Sequence, residues 1–511
     1  MRIGRRSLIG GVTGVLIAAG AIAVPATVNA MEAGNQAAAI DWKPCPDGDG
    51  GAQCATIEVP LDYSQPDGAK TTIGIAKRPA KDQANRIGSI LVDPGGPGGS
   101  GVGMVASGDP FTEAVTARFD VVGFDPRGIN TSQQLLCDET LSQQASDART
   151  PTSQAEFDNL VSLNKQLMES CRTNSGDLID HVDNLNTARD MDAIRAALGE
   201  EKLNYLGYSY GSLMGQQYAE LFPDRIRAMV NDGNMDHSLT TAWDFMRTET
   251  APVEKNFVEF AKWCDTTQTC ALYGQDTAKV YGELKERAKA GTLTDPATGD
   301  PIDFYALTSM GFSVNSPQAW GSFATDLKAL KDGTGTMSPA SLEAAAAVNN
   351  PYPPIWCSDW RYPVKDFADY GAMRTKLSAE FPNIEWSPYV DHSMTCAGEP
   401  LETTNPQQPL EIEGAPPLVM VGNIHDPATV YEWNKVAAEQ SGSHLITYEG
   451  WGHTAYGNGG PSPCVNEAVD AYLIDLTVPE QGLSCPATEQ PAAPSGTADR
   501  TPHSSGPYQL G

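Results

Sequence analysis

Residues 203–223 read LNYLGYSYGSLMGQQYAELFP, with the pentapeptide GYSYG at positions 207–211. A G-x-S-x-G pattern between an apolar run and a helix-like run describes a strand that turns sharply into a helix, with the serine Oγ projecting outward. The flanking glycines let the two segments approach without a Cβ clash, and the helix N-terminus favours a developing negative charge at the serine. The stretch predicts Ser209 as a nucleophile. An ordinary strand–turn–helix junction is the alternative for so short a match.

Further apolar runs of strand length lie on both sides of this stretch. They are ATIEVPLDY, TTIGIAKRPA, IGSILVDPGG and FDVVGFDPRG before it, and IRAMVND, PPLVMVGN (416–423) and SHLITYEG (443–450) after it. An amphipathic helix-like run, LNTARDMDAIRAAL (185–198), precedes the central strand. Strands that alternate with helices predict an α/β fold with a mostly parallel sheet, covered on both faces.

The pattern changes over residues 237–405, where helical periodicity and proline-rich loops replace the strand-like runs. Because strand character returns only at 416, we expect a large helical cap inserted into a single α/β domain. The two parts of that domain are then residues 40–236 and 406–485. Six of the nine tryptophans fall in the predicted cap, where some could line a pocket.

The two ends of the chain have compositions of their own. Arginines 2, 5 and 6 precede an apolar run from Leu8 to Val24, which predicts a secretory signal peptide over residues 1–30, with a sequence that also fits twin-arginine export. No stop-transfer pattern follows, so we expect a secreted protein without stable membrane insertion. Residues 486–511 are rich in Pro, Ala, Ser and Gly and predict a disordered tail.

The charge and the cysteines narrow the functional class. The formal net charge is −30, which disfavours nucleic-acid binding because phosphate would be repelled. An even number of cysteines in an exported chain suggests disulfides, and the ten here show neither a C-x-x-C pair nor zinc-like spacing with histidine, so no metal is expected. The simplest pairing joins sequence neighbours: Cys45–Cys54, Cys137–Cys171, Cys264–Cys270, Cys357–Cys396 and Cys464–Cys485.

An activated serine needs an acid and a histidine, which on an α/β sheet follow the serine in that order after later strands. Asp426 comes directly after the strand at 416–423, and His453 directly after the strand at 443–450. The order predicts a Ser209–Asp426–His453 triad. Asp426 could instead cap the following helix, and Thr429 could either bond the Asp426 carboxylate or cap that helix.

The oxyanion site of such a triad pairs the N–H after the nucleophile with one from a loop after an early strand. Tyr210 follows the serine, and the loop DPGGPGGSG at 93–101 is the glycine-rich backbone that could approach a substrate carbonyl. We expect Gly96 to be the second donor, with Gly95 as the alternative. No G-K-[ST] follows the loop, so a phosphate-binding role is disfavoured.

These motifs together resemble the tripeptidyl aminopeptidase and proline iminopeptidase branch of the α/β-hydrolases, especially its exported actinobacterial members. The resemblance runs from about Trp42 to Cys485 and rests on VPLDY, DPGGPGGSG, FDPRG, DMDAIRAALG, LNYLGYSYGS, LFPDRIRAMV, HDPAT and GHTAYG. It implies the triad and oxyanion groups named above, with the insertion as the family's cap. Pro94 stands where proline iminopeptidases have histidine, which favours the tripeptidyl group, and Asn130 stands where the family more often has glycine.

The resemblance implies a secreted serine exopeptidase that acts on peptides without a cofactor. An aminopeptidase holds its substrate's free ammonium with a negative group, and Asp359, Glu385 and Asp391 of the cap are the candidates, Asp359 first because it lies among tryptophans beside a cysteine. A secreted carboxylesterase or lipase with the same triad is the alternative, since a fold does not fix a substrate. A catalytically inactive binding protein of the same fold is a third.

Overall fold

The structure, a computed structural model, describes residues 40–335, except 47 and 49, and residues 351–489. The predicted signal peptide at 1–30 and residues 490–511 of the predicted tail lie outside these residues.

A ten-stranded sheet forms the centre of the fold. Its strands are β1 (Lys43–Pro44), β2 (Gln53–Pro60), β3 (Lys70–Arg78), β4 (Gly88–Asp93), β5 (Phe119–Phe124), β6 (Leu203–Tyr208), β7 (Ile226–Asp232), β8 (Val419–His425), β9 (His444–Trp451) and β10 (Ser484–Cys485). Their spatial order is β1-β2-β3-β5-β4-β6-β7-β8-β9-β10. The pairs from β5 through β10 are parallel, and β1, β2 and β3 add an antiparallel edge. The predicted mostly parallel sheet is confirmed.

Fourteen α-helices accompany the sheet in the part of the chain that the structure describes. They are α1 (Gly101–Ser107), α2 (Glu113–Arg118), α3 (Glu139–Asp147), α4 (Gln154–Ser175), α5 (Asn184–Ala197), α6 (Tyr210–Leu221), α7 (Ala242–Thr266), α8 (Thr277–Lys289), α9 (Phe304–Gly311), α10 (Trp320–Asp332), α11 (Tyr352–Asp359), α12 (Phe367–Glu380), α13 (Tyr431–Ser441) and α14 (Pro463–Asp475). Helices α3 and α4 lie where the sequence analysis identified no element. These helices begin at the capping residues Asp138 and Ser153, whose side chains accept a backbone hydrogen bond in the first turn.

Both faces of the central strands are buried. On β4, Leu91 belongs to the apolar cluster that includes residues of α4, α5 and α6, whereas Ile90 and Val92 belong to a second cluster that includes residues of α1 and α14. All six residues of β4 are buried. Unbroken apolar runs therefore form the parallel centre, because alternate side chains enter two different cores.

Helices α7 to α12 lie between β7 and β8 in the chain, and the described residues of this interval contribute no strand to the sheet. Part of this interval has an apolar cluster of its own, built from aromatic and aliphatic side chains of α7, α8 and α10, and Trp451 at the end of β9 packs against it. Pro252 lies inside α7, the longest of these helices. The interval has the composition expected of a helical cap, and we keep 237–405 as its proposed extent.

Five disulfides cross-link the described chain. The structure joins the ten cysteines in the five pairs that the sequence suggested.

The first residues of the predicted tail are held in place, since Tyr448 Oη donates to the Glu489 carboxylate (2.7 Å) and Thr488 Oγ1 donates to the Pro461 carbonyl (2.7 Å). Residues 488 and 489, at the start of the proposed tail 486–511, thus contact the folded domain. In the part that the structure describes, we find no helix with the length and apolar character needed to span a membrane.

Candidate active site

The turn between β6 and α6 holds Ser209 in a backbone conformation that L-amino acids rarely adopt. Its φ is 55° and its ψ is −122°, and such strain persists only where the surrounding structure enforces it. The Ser209 N–H donates to the carbonyl oxygen of Asp232 at the end of β7 (2.9 Å). The serine side chain is thereby held at the carboxyl edge of the sheet, where the residue is 8% exposed.

The glycine-rich loop after β4 packs directly against this turn. A Cβ on Gly95 would lie 2.6 Å from the Tyr210 nitrogen, so only glycine fits here. The Gly95 N–H already donates to the Asp93 carboxylate (2.7 Å), whereas the Gly96 N–H has no hydrogen-bond partner among the described residues. Tyr210 is the first residue of α6, where a helix leaves its N–H groups without internal acceptors. Of the two glycines considered as oxyanion donors, Gly96 has the available N–H.

Asp426 and His453 meet just beyond the ends of β8 and β9. The His453 Nδ1 lies 2.9 Å and 3.1 Å from the two carboxylate oxygens of Asp426. Asp426 is fully buried and also accepts hydrogen bonds from the Ala428 and Thr429 N–H groups (2.8 Å and 3.0 Å) and from Thr429 Oγ1 (2.9 Å). Of the two roles considered for Thr429, the structure shows a hydrogen bond to the Asp426 carboxylate. The carboxylate orients the imidazole so that Nε2 is the ring nitrogen left for other contacts.

The histidine and the serine converge through residues 232 and 233. Ser209 is bonded to the backbone of Asp232, and a Cβ on the next residue, Gly233, would lie 3.3 Å from His453 Cε1. Strands β6, β7, β8 and β9 are neighbours in the sheet. The ends of parallel strands meet at one edge, so this order brings three groups together that are distant in sequence.

The electrostatic environment favours the charged form of the histidine. Burial disfavours an imidazolium, but the Asp426 carboxylate, and more weakly that of Asp232, outweigh this and raise the pKa of His453. A base with such neighbours gains a proton from a serine hydroxyl at a lower cost than an isolated buried imidazole would.

Two of the three predicted ammonium-binding acids are already bonded to protein donors. The buried Asp359 carboxylate accepts from Tyr210 Oη (2.7 Å), Asn405 Nδ2 (2.6 Å) and the Asn184 N–H (3.0 Å). Glu385 binds the ammonium groups of two lysines, 285 and 289, at 2.7 to 3.2 Å, and these cations lower its pKa despite partial burial. The carboxylate of Asp359, the first of the three candidates, holds the hydroxyl of Tyr210.

The third predicted acid, Asp391, is partly exposed as a residue, but its Oδ1 is buried and has no hydrogen-bond partner among the described residues. Burial raises the pKa of Asp391 to about 7, against the opposing charges of Arg149 and Arg374. Two arginines therefore already serve as its counter-charges, so an incoming cation would meet repulsion as well as attraction.

A further acid, Glu249 on α7, does not stand out in the sequence and interacts electrostatically with Asp426. It is 2% exposed, and its Oε2 has no partner among the described residues. Burial raises the pKa of Glu249 well above its usual range, and the charge of Asp426 raises it further. The charge of Glu249 in turn contributes to the raised pKa of the phenols of Tyr352, Tyr362 and Tyr389. No cation is among the groups that shift the pKa of Glu249. A buried carboxyl group that interacts with Asp426 therefore keeps one oxygen that no described residue binds.

Metal ligation has no support among the described residues, which contain no group of three or more His, Cys, Asp and Glu side chains that could hold an ion. The site is built from a serine, a histidine, carboxyl groups and backbone N–H donors.

Comparisons with known proteins show the family of this chain. The family of the α/β hydrolase fold matches residues 88–329, and the family of TAP-like proteins matches residues 382–485. The chain is 31% identical to the serine protease Hip1 of Mycobacterium tuberculosis over 497 residues, covering 87% of this chain and 91% of the relative. It is 31% identical to the tripeptidyl aminopeptidase of Streptomyces lividans over 475 residues, covering 88% and 87%. It is 32% identical to carboxylesterase B of M. tuberculosis over 457 residues, covering 85% and 86%.

Proposed function

Because this chain belongs to the TAP-like branch of the α/β-hydrolase family, we propose that it is a secreted serine exopeptidase that cleaves peptides near a free N-terminus and releases tripeptides. The observation that carries the peptidase assignment is Glu249, a buried carboxyl group beside Asp426 with an oxygen that no described residue binds. Secretion is supported by the five disulfides, which persist in oxidising compartments.

The proposed reaction uses the three residues at the strand ends. His453 takes the Ser209 Oγ proton as Oγ attacks the peptide carbonyl carbon, and the N–H groups of Gly96 and Tyr210 bind the resulting oxyanion. When the intermediate collapses, the C–N bond breaks, and His453 gives its proton to the leaving amine. A water molecule, deprotonated by the same imidazole, then hydrolyses the acyl-serine and restores Ser209.

A carboxyl group at Glu249 would make this hydrolase prefer peptides with a free N-terminus. A substrate α-ammonium would supply the donor that the Glu249 Oε2 lacks and a positive charge beside Glu249, which has no cation among the groups that shift its pKa. We therefore assign to Glu249 the role that the sequence reading gave to Asp359, Glu385 and Asp391. A charge-assisted hydrogen bond contributes about 1.5–3 kcal/mol, or roughly 10- to 150-fold in affinity.

The test compares a free tripeptide p-nitroanilide with its N-acetylated form. We expect kcat/KM to be at least about tenfold higher for the free form, and Glu249→Gln to remove that preference while the rate on the acetylated form stays nearly constant. The matched control is Glu283→Gln on cap helix α8, where the side chain is 59% exposed. Equal rates on both forms in the unmodified enzyme would contradict the aminopeptidase assignment.

A carboxylesterase is the second candidate, favoured by the relative of that name. Under this alternative, p-nitrophenyl esters would be cleaved with no preference for a free amine. Labelling by a fluorophosphonate that is lost in Ser209→Ala separates both enzymes from a catalytically inactive member of the fold, which would remain unlabelled.

A further inference from the structure

The loop that carries His453 is fastened by two buried side chains that the proposed reaction does not use. Asn423 on β8 donates through Nδ2 to the carbonyl oxygens of Gly452 and Thr454, each at 2.9 Å. Asp232 at the end of β7 accepts through Oδ2 from the N–H groups of residues 455 and 456, at 2.9 and 2.8 Å. Both side chains are 0% exposed. Four backbone groups around His453 are thus bonded by two residues, which we call the histidine clamp.

The clamp is needed because the loop is strained and buried where the strands end. Thr454, next to the histidine, has a φ of 66°, in the left-handed region that a β-branched residue avoids. Backbone groups buried away from water must find partners. Beyond the strand ends, the short side chains of Asn423 and Asp232 supply those partners, and they fix the direction from which the imidazole enters the site.

Asp232 also brings charge to the histidine. Its Oδ1 has no hydrogen-bond partner among the described residues. Burial raises the pKa of Asp232 to about 7, with the Tyr456 and Ala455 N–H groups, and then His453, opposing the shift. The titratable groups that face it are His453, Asp426 and the buried phenol of Tyr208. Among these groups, only the imidazole can carry positive charge.

We propose that Asp232 and Asn423 are positioning residues that hold the His453 imidazole towards Ser209, and that the Asp232 carboxylate stabilises the imidazolium formed as the serine attacks. The proposal rests on the function proposed above, in that His453 is the base. It is independent of the substrate, because the clamp contacts the histidine loop and not the cap.

The experiment uses p-nitrophenyl acetate, whose hydrolysis requires the triad but no ammonium site, together with the rate of fluorophosphonate labelling of Ser209. Asp232→Asn keeps an acceptor oxygen for the loop but removes the charge. We expect kcat to fall roughly 3- to 10-fold with KM within about twofold, and the acid limb of the pH profile to move to lower pH because the pKa of His453 falls. Asp232→Ala and Asn423→Ala release the loop, and we expect about 100-fold lower kcat, as misplacement by an ångström can cost that much.

The matched control is Asp470→Asn. Asp470 binds the same loop from outside, through Tyr456 Oη (2.7 Å), and does not appear among the charges that act on His453. We expect this control to leave the acid limb in place, so a limb that moves equally in both variants would overturn the charge role. Labelling rates and pH limbs that match the unmodified enzyme in all clamp variants would overturn the proposal as a whole.

Circular dichroism and thermal melting of each variant show whether a loss of rate reflects unfolding. If Asp232→Ala is unfolded, the isosteric Asp232→Asn and the separate Asn423→Ala still decide between the outcomes. An unmodified enzyme that fluorophosphonate fails to label would overturn the serine-hydrolase function itself. A labelled enzyme with unaffected clamp variants would overturn the clamp alone.

Discussion

Replacing Gly95 by alanine should disrupt the proposed oxyanion site between the glycine-rich loop and the turn that carries Ser209. The new Cβ would lie 2.5 Å from the Tyr208 carbonyl oxygen, 2.6 Å from the Tyr210 nitrogen and 2.8 Å from the Gly211 nitrogen, all backbone atoms. Ordinary van der Waals contact begins near 3.4 Å. The loop or the serine turn must therefore move by nearly 1 Å, and we expect about a 100-fold fall in kcat, the cost of a misplaced donor.

The matched control is Gly98→Ala in the same loop. Gly98 also has a positive φ, 112° against 89° for Gly95, but nothing lies within 4 Å of its would-be Cβ. Both variants bear backbone strain of about 1–3 kcal/mol, and only Gly95→Ala bears the clash. We expect a larger loss of thermal stability for Gly95→Ala, because the clash adds to the strain. For Gly98→Ala we expect a rate within about threefold of the unmodified enzyme, measured with p-nitrophenyl acetate and by fluorophosphonate labelling. Full activity in Gly95→Ala would refute the reasoning, and an equal loss in both variants would assign the effect to strain.

Two further predictions concern carboxyl groups. Asp426→Asn should lower kcat by about 10⁴-fold, because an amide at 2.9 Å from Nδ1 no longer fixes the tautomer or stabilises the imidazolium; KM and the melting temperature decide whether the loss is catalytic or structural. Burial raises the pKa of Asp391 in the folded protein to about 7, so the folded state binds the extra proton between pH 4 and 7, and its contribution to stability is lost as pH rises through that window. The free energy of unfolding, measured by urea titration, should therefore fall less from pH 5 to pH 8 in Asp391→Asn than in the unmodified protein. The same fall in both proteins would contradict the prediction.

The sequence sufficed for the parts of the site that depend on local chain geometry. A strand that must turn sharply into a helix at Ser209 needs glycine at fixed positions, and the strands that end before Asp426 and His453 show their apolar character locally. The fold class followed because strand and helix periods alternate along the chain. Helix α4 was missed although its sequence carries the signal, since Phe157, Leu160, Leu167, Met168 and Cys171 recur at helical spacing after the capping residue Ser153.

The acids of the site could not be ranked from the sequence, because their availability depends on partners from distant segments. Asp359 is occupied by Tyr210, Asn184 and Asn405, the first two more than 140 residues away in the chain. Glu249 lies in a stretch of polar and apolar residues typical of a solvated helix face, yet α7 turns it into the protein beside Asp426. Asp232 and Asn423 end ordinary strands, and only the sheet order shows that they meet the loop of His453.

The proposed roles of Glu249 and Asp426 are linked by their charges. The charge of Asp426 raises the free energy of the ionised form of Glu249, which is buried and has no cation among the groups that shift its pKa. An ammonium group bound at Glu249 would offset that repulsion and let Glu249 ionise near the Asp426 carboxylate that supports the imidazolium. A blocked peptide would leave the repulsion in place. If Glu249 is the ammonium site, the preference for free N-termini should therefore appear in kcat as well as in KM, and Glu249→Gln should reduce the difference in both constants. A preference confined to KM in the unmodified enzyme would separate the ammonium site from the triad.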